Sequence, residues 1–489
     1  MKRFLIAIFS LCCLYGCSDF LDVTPQNQLT QAAFPSTDAD ALAATNAAYQ
    51  ILREGAYHRG FYPIDDIMSD DALKGSNPGD LSGILGPFDS YGFSPTNLVV
   101  ANWWSALYQG IRRTNVVINR VPSVQMDETL KQRYLGEARF LRALYYADLA
   151  RGYGGVPLIE SDQPNLLSER ATLEQTYELI EEDLLFAIDA LPEKSDLGGS
   201  NLGRATKGAA KALLSRVYLY VDRFAEAARL ADEVIASGQY DLEPIYFNAF
   251  RQEFEHGIES VFEIGGIGEM EGTAGGGNEY VASQGVRGTP NQGFGFNRPS
   301  LDLINSFETD DPRLDATVIF LGETIDGIEI RGDTGTPDVT SDGQPETYNQ
   351  KIWVGSIIPA ESRAHNRRLI RYAEVLLNAA EAHAEENNVS KALEYLEIVR
   401  ERAREGDTSI LPEITETNPE VLLDLIFEER RHELAMEGFR FWDLVRSGRA
   451  STVLAPLGFT TGKNELLPIP QAERDISEGR LTQNDGWGS

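Results

Sequence analysis

Residues 136–159 read GEARFLRALYYADLARGYGGVPLI. Phe140, Leu141, Leu144, Tyr145 and Leu149 recur at spacings of three and four, the period of a helix with one apolar face, so the run predicts a helix over 128–151. The same spacing returns in 38–54, 98–121, 172–191, 204–221, 224–237, 367–387, 390–404 and 418–436. The expected fold is therefore mainly α. Between about 241 and 365 the texture becomes Gly-rich and polar, with short strand-like pieces at Ser260–Ile264 and Ala316–Phe320. Together with the loops of 55–97, this region reads as inserted into a helical frame.

Two helical pairs share an internal pattern. Leu214, Ser215, Tyr218, Ala227 and Ala231 occupy the large, small and ring positions of a tetratricopeptide-like hairpin, and Ala379, Ala380, His383, Ala392 and Leu396 take the same places later. Small residues at the tightest crossing let two helices approach, and stacked hairpins bury faces that neither could bury alone. Ordinary antiparallel hairpins are the alternative.

The beginning of the chain has a different character. Lys2 and Arg3 precede an apolar run from Phe4 to Tyr15, the charged and greasy parts of an export signal, and the run is too short to span a bilayer. Leu14-Tyr15-Gly16-Cys17 reads as a lipobox, with cleavage after residue 16 and Cys17 acylated as the mature first residue. More than one acyl chain on that cysteine would anchor the protein stably without a transmembrane helix. The expected organisation is a signal peptide at 1–16, a lipid-anchored segment at 17–36 and one domain at 37–489. All three cysteines, Cys12, Cys13 and Cys17, fall in this leader. Beyond it the chain has no disulfide, thiol nucleophile or cysteine-type zinc site.

The formal charge of −32 repels phosphate backbones, so nucleic acid is excluded as a partner. A hydrophobic fraction of 42% supplies a sizeable core. The five histidines, His58, His256, His365, His383 and His432, form no H-E-x-x-H pair, and neither a phosphate-binding loop nor a G-x-S-x-G elbow occurs. Asp70-Asp71 are adjacent acids that point apart, which suits a hydroxyl acceptor or loop cap better than a catalytic dyad. Asp333, Asp338 and Asp342 do not follow an EF-hand spacing. The reading assigns no catalytic residue, no metal and no cofactor.

Trp104, Tyr108, Ile111 and Asn115 lie along one helical face. Taken with Gly136–Ile159, with EERRHELAMEGFRFWDLVRSG at Glu428–Gly448, and with LLPIP at Leu466–Pro470 followed by Gln483-Asn484 and Gly486-Trp487, the chain resembles the SusD/RagB family of Bacteroidetes surface lipoproteins. Most of these signature residues read as scaffold. Glu433 and Glu437 are like charges one helical turn apart and require a balancing cation, Arg430, Arg440 or another. Gly438 suits a left-handed helix end, with Phe439, Phe441 and Trp442 packing the next turn. Trp104 and Tyr108 read as core.

The resemblance implies an outer-membrane, surface-exposed lipoprotein that captures an oligosaccharide or polysaccharide and passes it to a SusC-like TonB-dependent transporter, over which it sits as a lid. It also implies a glycan site on the loops before the Trp104 helix and in the later insertion. Sugar C–H faces stack on aromatic rings while hydroxyls seek charged and amide groups. Tyr91 and Trp353 are the expected stacking platforms, assisted by Phe88 or Phe93, with Asp71 and Lys74 as hydroxyl partners. Tyr280, Phe294, Phe296 and Tyr348 are further rings of the insertion. The acidic charge favours a neutral glycan such as a β-glucan. A peptide-binding lipoprotein of the same lid type and a surface glycoside hydrolase are the alternative readings.

Overall fold

The computed structural model describes residues 34–163, 167–266, 279–333, 345–355 and 365–488. The export signal, the lipobox and Cys17 lie outside the described residues. The helical frame begins with α1 (Asp38–Gln50) and α2 (Gly55–Tyr62), continues through α3 (Leu98–Arg120), α4 (Glu128–Tyr153) and α5 (Leu173–Ala190), and reaches a hairpin of α6 (Lys207–Leu219) and α7 (Phe224–Ala236). The inserted region contributes the short helices α8 (Glu279–Gln284), α9 (Leu301–Ser306) and α10 (Pro312–Thr317). The frame resumes with α11 (Tyr372–Glu385), α12 (Val389–Ala403) and α13 (Pro419–Glu433), followed by α14 (Arg440–Arg446), α15 (Ala450–Val453) and α16 (Gln471–Ile476). Among the described residues no helix is long and apolar enough to cross a membrane.

Local chemistry sets the helix starts. The Asn97 side chain accepts from Val99 N–H at 2.8 Å, Asp127 from Leu130 at 2.9 Å and Thr206 from Ala209 at 3.0 Å. Thr172 and Gln175 cap α5 reciprocally. Each cap satisfies backbone donors that the first turn leaves orphaned. Helix α4 runs two residues beyond the expected end and stops at Gly154, whose φ of 78° only glycine adopts readily. It crosses α3 closely at Gly110, where a Cβ would stand 2.5 Å from the Tyr145 ring. Polar groups are buried in the same layer: Arg142 donates to both carboxylate oxygens of Asp183 at 2.7 and 2.8 Å and to Asn115 Oδ1 at 2.9 Å. Asn115 in turn donates to the carbonyls of Ile159 and Ser161.

The hairpins α6–α7 and α11–α12 form, and α7 packs against α11, so the two stack. Leu214, Ala227, Ala231, Ala379, Ala380, Ala392 and Leu396 are all buried at the crossings. Ser215 Oγ donates to Ala227 O at 2.8 Å within the first hairpin. Asp232 of that hairpin accepts from Tyr395 O–H at 2.7 Å and contacts His383 Nε2 at 3.1 Å, tying it to the second.

Two element assignments change. Residues 367–371 form a strand rather than the first turn of a helix. Residues 316–317 finish α10, so the strand there is limited to Val318–Phe320. The strands are β1 (Ala72–Gly75), β2 (Ser260–Ile264), β3 (Phe296–Pro299), β4 (Val318–Phe320), β5 (Thr324–Ile325), β6 (Ile328–Glu329), β7 (Thr347–Asn349) and β8 (Arg367–Arg371). They pair antiparallel in twos, β1 with β3, β2 with β8, β4 with β7 and β5 with β6. In the β2–β8 pair Ser260 faces Arg371 and Ile264 faces Arg367, so the inserted region leaves and re-enters the frame side by side.

The signature after α13 is scaffold. Met436 (φ 61°) and Gly438 (φ 85°) turn the chain, and Gly438 N–H donates to Asp66 Oδ1 at 2.9 Å. Phe441 and Trp442 are buried beyond the turn, with the Trp442 indole N–H on Asp65. The cations that balance Glu433 and Glu437 are not Arg430 and Arg440, which serve Asp443 and Asp70. Glu433 meets Arg402, Arg371 and Arg313, while Glu437 meets Arg371 and Lys351. Burial alone would raise the Glu433 carboxyl, but the three guanidiniums overcome it and hold it at about 2.

Candidate functional site

The loop over 86–97 folds its rings inward. Tyr91 is 4% exposed. Its O–H donates to Met68 O, and its ring meets Phe459 edge-on at 5.4 Å. Phe88 stacks on Phe93 at 4.8 Å, and Phe93 packs on Trp487 at 5.0 Å. The expectation that these rings face solvent is corrected: their partners come from the last part of the chain and cover them. Trp353 is likewise 3% exposed, clustered with Val286, Ile319, Ile330 and Tyr348. Its indole N–H donates to Asp326 at 2.9 Å.

The two expected hydroxyl partners are also occupied. Asp71 accepts from Arg431 Nε at 2.8 Å in a buried ion pair. The Lys74 ammonium donates to the carbonyls of Gly75, Asn77 and Asp80 at 2.8, 3.0 and 3.1 Å, folding loop 75–80 around itself. Tyr280, Phe296 and Tyr348 are buried too. Asp333 pairs with Arg287 at 2.6 Å, and Asp338 and Asp342 lie outside the described residues. Glu308, Glu429 and His432 come together, but Arg400 holds both carboxylates and Arg313 also bonds Glu429, which leaves no room for a cation.

One ring remains. Among the described Phe, Tyr and Trp side chains only Phe294 is exposed, at 46%. It sits in Gly293-Phe294-Gly295, immediately before β3, so neither neighbour has a side chain to cover it. The backbone there is fixed. Phe294 N–H donates to Ala282 O at 2.8 Å, and Gly295 O accepts from Ser76 N–H at 2.6 Å. Gly75 approaches so closely that a Cβ would lie 2.5 Å from Gly295 O. The β1–β3 pair thus brings the start of loop 76–84 to the backbone just after Phe294.

Charged groups lie over the same junction. A Cβ at Gly295 would come 3.0 Å from the Arg287 Cβ. The Arg287 guanidinium donates to Ser76 Oγ at 2.8 Å, pairs with Asp80 and reaches Asp333 at 2.6 Å. The side-chain hydrogen bond from Arg287 holds the Asp80 carboxyl below its ordinary range. Leu81 is exposed on the same loop. An exposed ring thus follows Gly293 on the loop leading into β3, while Arg287, paired with Asp80 and Asp333 and bonded to Ser76, braces the adjoining Gly295; a ring of this kind can stack on a sugar face. Sequence reasoning named Phe294 among the rings of the insertion without selecting it. Its flanking glycines were the legible signal.

With this geometry in place, the comparisons define the class. A family model described as "SusD family" matches residues 259–455, and one described as "Starch-binding associating with outer membrane" matches residues 19–219. The chain belongs to the SusD/RagB family. It is 29% identical to SusD-like protein P2 of Formosa agariphila, covering 100% of both chains. A solved laminarin binding SusD-like protein superposes with a TM-score of 0.77 at 29% identity, over 92% of this chain and 100% of that one. Surface glycan-binding protein A from Bacteroides thetaiotaomicron, solved in complex with laminarihexaose, gives 0.76 at 27% identity, over 92% and 100%.

Proposed function

We propose that this chain is a cell-surface glycan-binding lipoprotein of the outer membrane. In this reading Cys17 carries the lipid, and the protein captures an oligosaccharide and delivers it to a SusC-like TonB-dependent transporter without cleaving it. The exposed Phe294 ring, on the loop before β3, is the observation that carries the binding part. The similarity to a laminarin-binding protein and to one solved with laminarihexaose supports a neutral β-glucan as ligand, as does the acidic charge of −32. The match of residues 19–219 to a family of starch-binding proteins associating with the outer membrane supports the location.

Affinity electrophoresis across a panel of neutral and acidic polysaccharides tests the binding. Retardation by laminarin but not by a polyuronate is expected, and migration indifferent to every polysaccharide would sink the proposal. Metabolic labelling with palmitate, lost in Cys17→Ala, tests the anchor. Co-purification of a TonB-dependent barrel from membranes tests the delivery partner.

A further inference from the structure

A second cleft, of about 410 Å³, lies between α3 and α16. It shares no residue with the Phe294 surface. The half-buried ring of Tyr108 on α3 forms one wall, backed by Trp104, which is buried one turn earlier, and Pro157, Ile159, Ile476 and Leu481 supply the rest of the apolar lining. The two rings lie 4.9 Å apart, and Tyr108 O–H donates to Pro157 O at 2.9 Å, so the wall is held in place. Its size falls in the range of small-molecule pockets, which combine an apolar lining with a few polar groups.

Two of those polar groups are ionisable, Arg112 and Glu473. Neither side chain makes a hydrogen bond or ion pair with a described residue. Burial pushes the Glu473 carboxyl above its ordinary range, and no cation answers it. The contrast with Glu433, enclosed by three guanidiniums, is direct. The cleft thus sets a half-buried carboxylate without a cation beside the Tyr108 ring, with the exposed Arg112 at its edge.

That combination selects among ligands. An anion would meet Glu473, a cation would meet Arg112, and a hydrocarbon would strip water from both without replacing its hydrogen bonds. A neutral pyranose satisfies all three surfaces: its C–H face lies on the Tyr108 ring, one hydroxyl donates to Glu473, and another accepts from Arg112. We propose that the cleft is a second saccharide-binding site, taking a short neutral oligosaccharide. A zwitterion such as a dipeptide is the competing class.

The test is equilibrium titration of the full chain with laminarihexaose, cellohexaose, maltohexaose and glycylglycine. Four proteins are compared: wild type, Phe294→Ala, and Phe294→Ala combined with Ser105→Trp or with Glu473→Gln. Ser105 is exposed and lines the cleft, so the indole plugs it, while Glu473→Gln keeps the shape and removes the charge. Phe294→Ala is expected to keep binding one of the hexaoses. Ser105→Trp should then abolish that binding, and Glu473→Gln should weaken it about tenfold. No residual binding in Phe294→Ala, residual binding indifferent to both cleft changes, or cleft-dependent binding of glycylglycine alone would each overturn the proposal. Failure of the Phe294 reading shows differently, as wild type and Phe294→Ala binding with equal affinity and stoichiometry.

Discussion

Arg371 grips Glu437 with both arms, Nε to Oε2 at 2.7 Å and Nη2 to Oε1 at 2.8 Å. Arg371 ends β8, where the chain returns from the insertion, and Glu437 belongs to the turn after α13. The pair therefore joins the insertion's base to the signature. Both groups are buried, so removing one leaves the other short of a partner. Arg371→Ala is expected to cost about 3 kcal/mol of stability, because Glu437 keeps only Lys351 and Glu433 loses one of its three guanidiniums. Denaturant unfolding of wild type, both single variants and the double variant measures it, with the double costing less than the sum.

The same cluster sets the acid limit. Guanidiniums around Glu433 hold its carboxyl at about 2, and Arg371 and Lys351 keep Glu437 below its ordinary range, in both cases against burial. A depressed folded value means stability present above the unfolded value of 4.5 and lost as pH falls through the folded one. Thermal melts are expected to fall steeply between about pH 4.5 and pH 2, and less steeply in Glu433→Gln.

Asp65 and Asp66 act with the opposite sign. Burial pushes them up to about 7 and about 6, against the partial opposition of Arg151 and Arg367 at Asp65 and of Asn297 and Arg367 at Asp66. Raised carboxyls bind protons in the folded state that the unfolded chain has already released, so their contribution declines as pH rises from about 4 to about 7. Asp65→Asn keeps an acceptor for the Trp442 indole and should flatten that decline in melts taken from pH 5 to pH 8.

Phe294→Ala is expected to leave the melting temperature unchanged and to weaken saccharide retention about three- to tenfold, the value of one stacked ring. Tyr91→Ala and Trp353→Ala should do the reverse. Each empties a packed position at a cost of about 3–5 kcal/mol. Affinity electrophoresis beside thermal melts separates the two behaviours.

Gly110→Ala ordinarily favours a helix by about 1 kcal/mol. Here the methyl would press on the fully buried Tyr145 ring, whose O–H is bonded to Ala48 O at 2.8 Å. A net loss of about 1–3 kcal/mol from overpacking is expected, and Gly110→Ala with Tyr145→Leu should recover most of it.

The helical frame was legible because its signal is local. Spacing, caps and the glycine after α13 all act within a few residues. Arg367–Arg371 was misread because its strand character comes from β2, a partner far along the chain. The site residues failed for a similar reason. A ring on a glycine-rich loop looks uncovered until Phe441, Phe459 and Trp487 arrive over it, and nothing near Tyr91 or Phe93 announces them. Glu433 and Glu437 posed the same difficulty: the need for cations was readable, while the identity of Arg313, Lys351, Arg371 and Arg402 depended on tertiary contact. Phe294 had a local hint in its two flanking glycines, but its exposure depends on no distant element covering it.

The side-by-side exit and return through β2 and β8 makes the insertion an exchangeable cassette. A descendant can replace everything between those strands and meet a new nutrient while the helical chassis stays as it was. The freedom has limits. Any replacement must still offer β1 a partner strand and send cations to the places of Arg313 and Lys351, or Glu433 and Glu437 lose part of their counterion set.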